Sequence, residues 1–201
     1  MSGPVLRWTC VGLPLLTLLL TMASPAITPE PGDALSAQSP EVKAALFFNI
    51  PSFVSWPENS RLPSDRPFTL CAAQQPGTEA FGGALQQIVR ERNLQGRQVV
   101  FRTVQALQDL PGCQMLYTPE LNTLAPAAEV RRAAADLHIL TVGENPGFLH
   151  AGGMIRLHVR EGHLAFSVNL KEARAAALLI SARLLRLADT VLQGDGGQEA
   201  G

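Results

Sequence analysis

The chain has 201 residues, of which 46% are hydrophobic and 16% are charged, and its formal net charge is -1. This length favours one domain with additional terminal segments, and the apolar content excludes a disordered or collagen-like chain. Because 16 basic residues are balanced by 17 acidic ones, duplex nucleic acid is not expected as a partner.

The first 26 residues have the features of a cleavable signal peptide. Arg7 is the only charged residue before Glu30, and an apolar run follows it as far as Ala23. Small residues then offer cleavage after Ala23 or Ala26. An uncleaved anchor is the alternative, but the dense apolar stretch is shorter than the ~20 residues of a spanning helix. We expect a signal peptide at 1–26, a flexible Pro/Ser-rich linker at 27–40, one α/β domain at 41–192 and a disordered tail at 193–201.

The cysteines indicate a disulfide in the mature protein. Cleavage of the signal removes Cys10 and leaves Cys71 and Cys113 in an oxidising compartment. Their disulfide would close a loop of about 43 residues, for which the loop-entropy term is about 4 kcal/mol. Two buried, reduced cysteines are the alternative if the chain is not exported.

Helix and strand patterns alternate through the first two thirds of the mature chain. Residues 41–56 have helical spacing that Pro51 must kink or interrupt. Short apolar runs with adjoining helical segments follow. Such alternation predicts a single compact α/β domain with a mostly parallel sheet flanked by helices. The predicted strands are 67–73, 98–102, 113–117 and 137–142, and the predicted helices are 76–92 and 119–135.

A hairpin is predicted near the C-terminus. Residues 154–160 and 163–168 alternate apolar and polar side chains, and Glu161 and Gly162 between them suit a two-residue turn. This register places every large aliphatic side chain on one face. The predicted cross-strand pairs are Ile155 with Val168, Leu157 with Phe166, and Val159 with Leu164.

A long amphipathic helix is predicted to end the domain. Apolar residues recur at three- and four-residue steps from Lys171 to Leu192, and Gly194 follows. The helix would bury Ala173, Ala176, Ala177, Ile180, Leu184, Leu187 and Val191.

Motifs of common enzyme classes are absent from the sequence. It contains no nucleophile elbow, phosphate-binding loop, dinucleotide-binding turn or metalloprotease helix motif. His138, His150, His158 and His163 lack the spacing of metal ligands. We therefore expect no catalytic residues, no metal and no cofactor, and we interpret His138 as a hydrogen-bonded core histidine.

Two segments are candidate binding surfaces. A loop with Gly143, Gly147, Gly152 and Gly153 follows a predicted strand, where open α/β sheets often bind ligands, although its glycines also suit a purely structural loop. The other face of the hairpin forms a basic surface that would attract an anionic small molecule or an acidic patch on a partner, unless it is an ordinary solvated face. This basic hairpin face consists of Arg156, His158, Arg160 and His163.

Four ordered stretches of the sequence resemble the YfiR family of exported proteins. They are Val42–Asn49 with Phe53–Pro57, Phe68–Cys71, Leu140–Gly143 with Gly147–Phe148 and Gly152–Ile155, and Phe166–Leu170 with Ala173–Arg174 and Ile180–Ala188. The resemblance covers about residues 41–191.

The resemblance implies a function in signalling. It implies a non-enzymatic periplasmic regulator that binds and inhibits the sensor region of a membrane-bound diguanylate cyclase, and so lowers cyclic-di-GMP and biofilm formation. It also implies a compact α/β fold, a homodimer and redox sensitivity through disulfides. Some members carry a second cysteine pair near the glycine loop, which this chain lacks. An anion-binding module without a cyclase partner is the alternative.

Overall fold

The computed structural model describes Gly3 and residues 38–58 and 66–194. The predicted signal peptide, most of the linker and most of the tail therefore lie outside the described residues. Five α-helices are described: α1 (Pro40–Asn49), α2 (Glu79–Glu91), α3 (Ala127–Asp136), α4 (Leu170–Ala175) and α5 (Ala182–Leu185). The strands are β1 (Val54–Ser55), β2 (Phe68–Ala73), β3 (Val99–Val104), β4 (Met115–Tyr117), β5 (Leu140–Gly143), β6 (Ile155–Arg160), β7 (His163–Asn169), β8 (Leu179–Ile180) and β9 (Thr190–Leu192).

Seven strands form one sheet in the order β3-β2-β4-β5-β6-β7-β9. All neighbouring strands run parallel except β6 and β7, which form the antiparallel hairpin. β1 and β8 form a separate two-stranded antiparallel ribbon. The prediction of an α/β domain with a mostly parallel sheet is confirmed.

The central strands are buried along their whole length. Every residue of β4 and of β5 is buried, which explains why neither strand alternates between apolar and solvent-facing polar residues. Aromatic rings join the helices to the sheet, because Phe47 of α1 and Phe81 of α2 both pack against Tyr117 of β4.

The first helix begins at Pro40 and ends just before Pro51. Ser39 caps α1 by accepting a hydrogen bond from the Val42 N–H, and Pro40 occupies the first turn, where its missing N–H costs nothing. After Asn49 the chain tightens into a 3₁₀ turn at Ile50–Phe53, which contains Pro51. The predicted helix at 41–56 is therefore interrupted where its proline suggested.

A disulfide joins Cys71 and Cys113, with Cα atoms 5.9 Å apart. Cys71 lies in β2, and Cys113 lies two residues before the adjacent strand β4. Both residues are buried. The bond holds together two parallel strands whose pairing closes a long loop of chain.

The hairpin has the predicted register. Ile155 faces Val168, Leu157 faces Phe166 and Val159 faces Leu164. The turn residues Glu161 and Gly162 have φ angles of 51° and 80°, which are the left-handed conformations that a two-residue hairpin turn requires.

The predicted long helix at 171–192 is wrong. The segment contains the short helices α4 and α5 and the strands β8 and β9 instead. Ala173, Ala176, Ile180 and Leu184 are buried as predicted, whereas Leu187 is 65% exposed and Ala177 is exposed.

Local capping and tertiary pairing explain this departure from helical periodicity. Ala177 adopts a left-handed φ of 57°, which ends α4, and the Leu178 N–H then bonds to the Ala173 carbonyl. Ile180 pairs with Val54 in the ribbon, and Ser181 begins α5 by accepting from the Leu184 N–H. Residues 190–192 extend the sheet beside β7.

The helix predicted at 119–135 is shorter than expected. It begins at Ala127, after Pro126, and the preceding residues form a turn in which the Glu120 carbonyl accepts from the hydroxyls of Thr118 and Thr123. Hydroxyl bonds to the backbone compete with helix formation in this way.

Candidate functional site

The basic hairpin face lies against an acidic residue. Asp189 immediately precedes β9, the strand that pairs with β7. His158 Nε2 lies 3.0 Å from Asp189 Oδ2, and the Arg160 guanidinium forms an ion pair with the other oxygen of the same carboxylate. Two of the four basic side chains are thus bound to one carboxylate.

Burial disfavours the charged form of His158. Its side chain is 14% exposed, and burial lowers the pKa of His158 below its usual value, with the positive charges of Arg156 and Arg160 acting in the same direction. Because a carboxylate oxygen can only accept, His158 donates its Nε2–H to Asp189.

The four predicted surface residues differ in accessibility. Arg156 is partly buried, and its Nε has no partner within the described part of the chain. Arg160 and His163 are exposed and face each other across the hairpin. The structure brings the four to one face, where Arg160 and His163 are exposed and Arg160 is already paired with Asp189.

Asp189 was missed at the sequence level because it falls inside the helix predicted at 171–192. As a helical residue it would face solvent. The available signal was the Thr190-Val191-Leu192 run, whose residues favour a strand that would carry Asp189 to the hairpin.

The glycine loop encloses an aromatic ring. A Cβ on Gly143 would lie 2.3 Å from the Phe148 ring, and one on Gly153 would lie 2.2 Å from the same ring. Gly152 has a φ of 101°, and a Cβ there would meet the Arg131 side chain. Phe148 is buried. Close packing accounts for these three glycines, which favours the structural interpretation of the loop over a ligand-binding one. Gly147 lies at the loop surface, where its N–H bonds to Asn145 Oδ1.

Two large aliphatic side chains project into solvent near the C-terminus. Leu179 is 68% exposed and Leu187 is 65% exposed. Arg183, four residues before Leu187, lies over the Phe53 ring at 5.6 Å from its centroid. Sequence reasoning did not select Leu179, and it placed Leu187 in the core. Nothing in a helical stripe distinguishes a residue that packs from one that does not.

His138 is hydrogen-bonded as predicted, but it is partly buried rather than part of the core. Its Nδ1 lies 2.9 Å from the Ala176 carbonyl oxygen, and its own carbonyl accepts from the Trp56 indole N–H. Within residues 38–58 and 66–194 there is no group of three or more potential metal-ligating side chains. The same residues include no helix long and apolar enough to cross a membrane.

The fold and the disulfide define a small α/β protein with a cross-linked parallel sheet. The chain belongs to the DUF4154 family, described as YfiR/HmsC-like, whose profile matches residues 40–189. A comparison with curated proteins finds no match.

Two solved structures resemble the chain at low sequence identity. One is an ABC domain from Streptococcus pneumoniae in complex with L-Trp, with 12% identity and a TM-score of 0.47. Another is a conserved domain protein from Vibrio cholerae, with 14% identity and a TM-score of 0.47. In both cases the match covers 76% of this chain and 60% of the other.

Proposed function

We propose that the protein is an exported, non-enzymatic regulator that binds the periplasmic sensor region of an inner-membrane diguanylate cyclase. By inhibiting the cyclase it lowers cyclic-di-GMP and biofilm formation. The observation that carries this proposal is membership of the YfiR/HmsC-like family over residues 40–189. The Cys71–Cys113 disulfide supports the periplasmic location, because such bonds persist in oxidising compartments.

Inhibition of this kind requires only a difference in affinity. A protein that binds the inactive arrangement of the cyclase more tightly than the active one shifts the population towards the inactive state. No bond is made or broken in the regulator. The proposal therefore assigns the function to surface residues, and any homodimer would act through the same surfaces.

The exposed residues supply two candidate contact surfaces. Leu179 and Leu187 are the two most exposed large apolar side chains among the described residues, and each is a candidate contact for a partner. Arg160 and His163 offer hydrogen-bond donors to an acidic partner. Because these side chains are largely exposed, their substitution leaves the core intact.

Affinity purification from envelope extract tests the proposal. We expect the tagged protein to recover a membrane protein that contains a diguanylate cyclase domain. Leu187→Lys should lose this partner if the apolar surface binds it, and Arg160→Gln with His163→Gln should lose it if the basic surface does. Leu137→Lys is the matched control, because Leu137 is 38% exposed at the end of α3. Recovery of no cyclase by the wild-type protein would contradict the proposal.

An anion-binding module is the second candidate. It is favoured by the half-buried Arg156, whose Nε has no partner within the described residues. Titration with a nucleotide such as GMP, followed at the His158 and His163 resonances, tests it. Asp189 already binds two of the basic groups, so we rank this candidate second.

A further inference from the structure

A cavity lies at the point where the direction of strand addition reverses. The chain passes from β2 through α2 to β3 on one side, and then returns to β4 on the other side of β2. Open α/β sheets bind ligands in the crevice outside the carboxyl ends of two such strands. Here a cavity of about 250 Å³ opens beside the ends of β2 and β4. It is lined by Pro40, Lys43, Gln75, Pro76, Gly77, Phe81, Tyr117, Pro119 and Glu144.

Polar groups from distant parts of the chain meet in this cavity. Lys43 Nζ of α1 lies 2.7 Å from Glu144 Oε2, on the loop after β5. The Tyr117 hydroxyl donates to the other oxygen of Glu144. Burial raises the pKa of Tyr117, and the hydrogen bond to Glu144 adds to this effect, so the phenol stays protonated as a donor. The Lys43 and Glu144 side chains are 20% and 28% exposed, and both remain accessible from the cavity.

The charges of the cavity do not suit an anion. Lys43 and Glu144 neutralise each other, and the nearby Glu79 carboxylate accepts from the Gly77 N–H. The neighbouring polar groups are amides, which both donate and accept hydrogen bonds. Gln75 lines the cavity itself, and beside it the Gln105 amide bonds to Gln74 at 2.8 Å. This combination suits a neutral ligand with many hydroxyl groups, each able to accept from Lys43 or donate to Glu144.

The shape of the cavity also suits a sugar ring. Three of the lining residues are prolines, Pro40, Pro76 and Pro119, which offer apolar surface to the C–H face of a pyranose. The volume lies just below the ~300–1,000 Å³ of pockets for drug-sized ligands, which fits a single ring. An adjoining cavity of about 480 Å³ shares Gln75 and Pro76 and leaves room for a second ring.

We propose that this crevice binds a neutral sugar, with Lys43, Glu144 and Gln75 as its hydrogen-bonding groups. Nothing in this assignment depends on a cyclase partner. A sugar seated there would touch α1, the turn after β2 and the loop after β5 at the same time.

Calorimetric titration of the mature protein tests the proposal. The probes are D-glucose, D-galactose, N-acetyl-D-glucosamine and the disaccharide N,N′-diacetylchitobiose, each to millimolar concentration. We expect saturable binding of at least one, weakened about tenfold by Gln75→Ala, because each lost hydrogen bond is worth up to about that factor. The Gln75 side chain makes no described hydrogen bond, so this variant should fold. Tighter binding of the disaccharide would place the second ring in the adjoining cavity.

The matched control is Gln87→Ala, at an exposed position of α2 where the side chain bonds only to Glu91. It should bind as the wild type does. Lys43→Met, which keeps the aliphatic stem and removes the ammonium, should weaken binding as Gln75→Ala does. Absence of saturable binding for all four sugars would overturn the proposal, as would binding that Gln75→Ala and Lys43→Met leave unchanged. Because the titration uses the purified protein alone, its failure would leave the cyclase proposal standing.

Discussion

At the scale of single residues, close packing and burial explain features that a sequence presents as candidate chemistry. The glycine loop follows a strand at the place where ligands often bind, yet Gly143 and Gly153 allow the Phe148 ring to lie between them. His158 is part of a basic pattern, yet burial lowers its pKa and its Nε2 contacts Asp189. The chemistry of both positions is determined by what packs against them.

Substitution by alanine should destabilise the protein at a glycine that packs against a side chain, and not at a glycine with free space beside it. Gly143→Ala should lower the free energy of unfolding by about 1–3 kcal/mol or more, because the new Cβ would overlap the Phe148 ring. Gly83→Ala in α2 is the control. A Cβ there meets nothing within 4 Å, so alanine should stabilise the helix by about 0.5–1 kcal/mol. Urea denaturation measures both, and equal effects of the two substitutions would contradict the packing role.

His158 should make stability fall in mild acid. Burial lowers the pKa of His158 in the folded state, so as the pH falls through about 6.5 the unfolded chain takes up a proton that the folded protein does not. This contribution to stability is present above that pH and is lost below it. Urea denaturation between neutral pH and about pH 5 should show a smaller loss for His158→Gln, which keeps a donor towards Asp189. An identical pH dependence in both proteins would refute the assignment.

At the scale of elements, the sequence predicts local structure where the pattern and the burial agree. The hairpin register follows from its alternating residues, because a slip by one residue would expose the entire apolar set. The strands of the parallel sheet were found for a similar reason, since runs such as Met115–Tyr117 are too short for a helix. The final segment was missed because Ala173, Ala176, Ile180 and Leu184 fit a helical stripe and are indeed buried, although by separate short elements.

Substitution of Ala177 by glycine should change stability in opposite directions in the observed structure and in the long helix predicted at 171–192. Its φ of 57° is unfavourable for an L-residue, so Ala177→Gly should stabilise the protein by about 1 kcal/mol. In a continuous helix the same substitution would destabilise by about 1 kcal/mol. Ala175→Gly in α4 is the control and should destabilise. Denaturant unfolding gives the sign, and destabilisation by Ala177→Gly would favour the long helix.

The disulfide should supply much of the cohesion between β2 and β4. Replacing Cys71 and Cys113 together by alanine should lower the free energy of unfolding by about 2–5 kcal/mol. Reductant should lower the melting temperature of the wild-type protein to a similar extent and should not affect the double variant. The wild-type protein should be reduced while unfolded, so that the reductant reaches the buried bond, and then refolded and melted. A melting temperature that this treatment leaves unchanged would show that the bond is absent or makes no contribution.

At the scale of the whole molecule, the sequence predicted the fold class and the family better than it predicted the surface. Apolar strands and family-like stretches extend over most of the chain, whereas surface accessibility depends on how remote segments meet. Asp189 reaches the hairpin only because β9 pairs with β7, and Lys43 meets Glu144 across 101 positions of sequence. The spacing of apolar residues along the chain does not show which remote segments come into contact.

We propose that this protein restrains a diguanylate cyclase from outside the inner membrane. The most direct test is the cellular level of cyclic-di-GMP in a strain that lacks the gene but expresses the membrane-bound cyclase that the protein is proposed to bind. We expect the level to rise on deletion and to return when the wild-type gene is restored. An unchanged level in the deletion strain, with the cyclase present and active, would contradict the account.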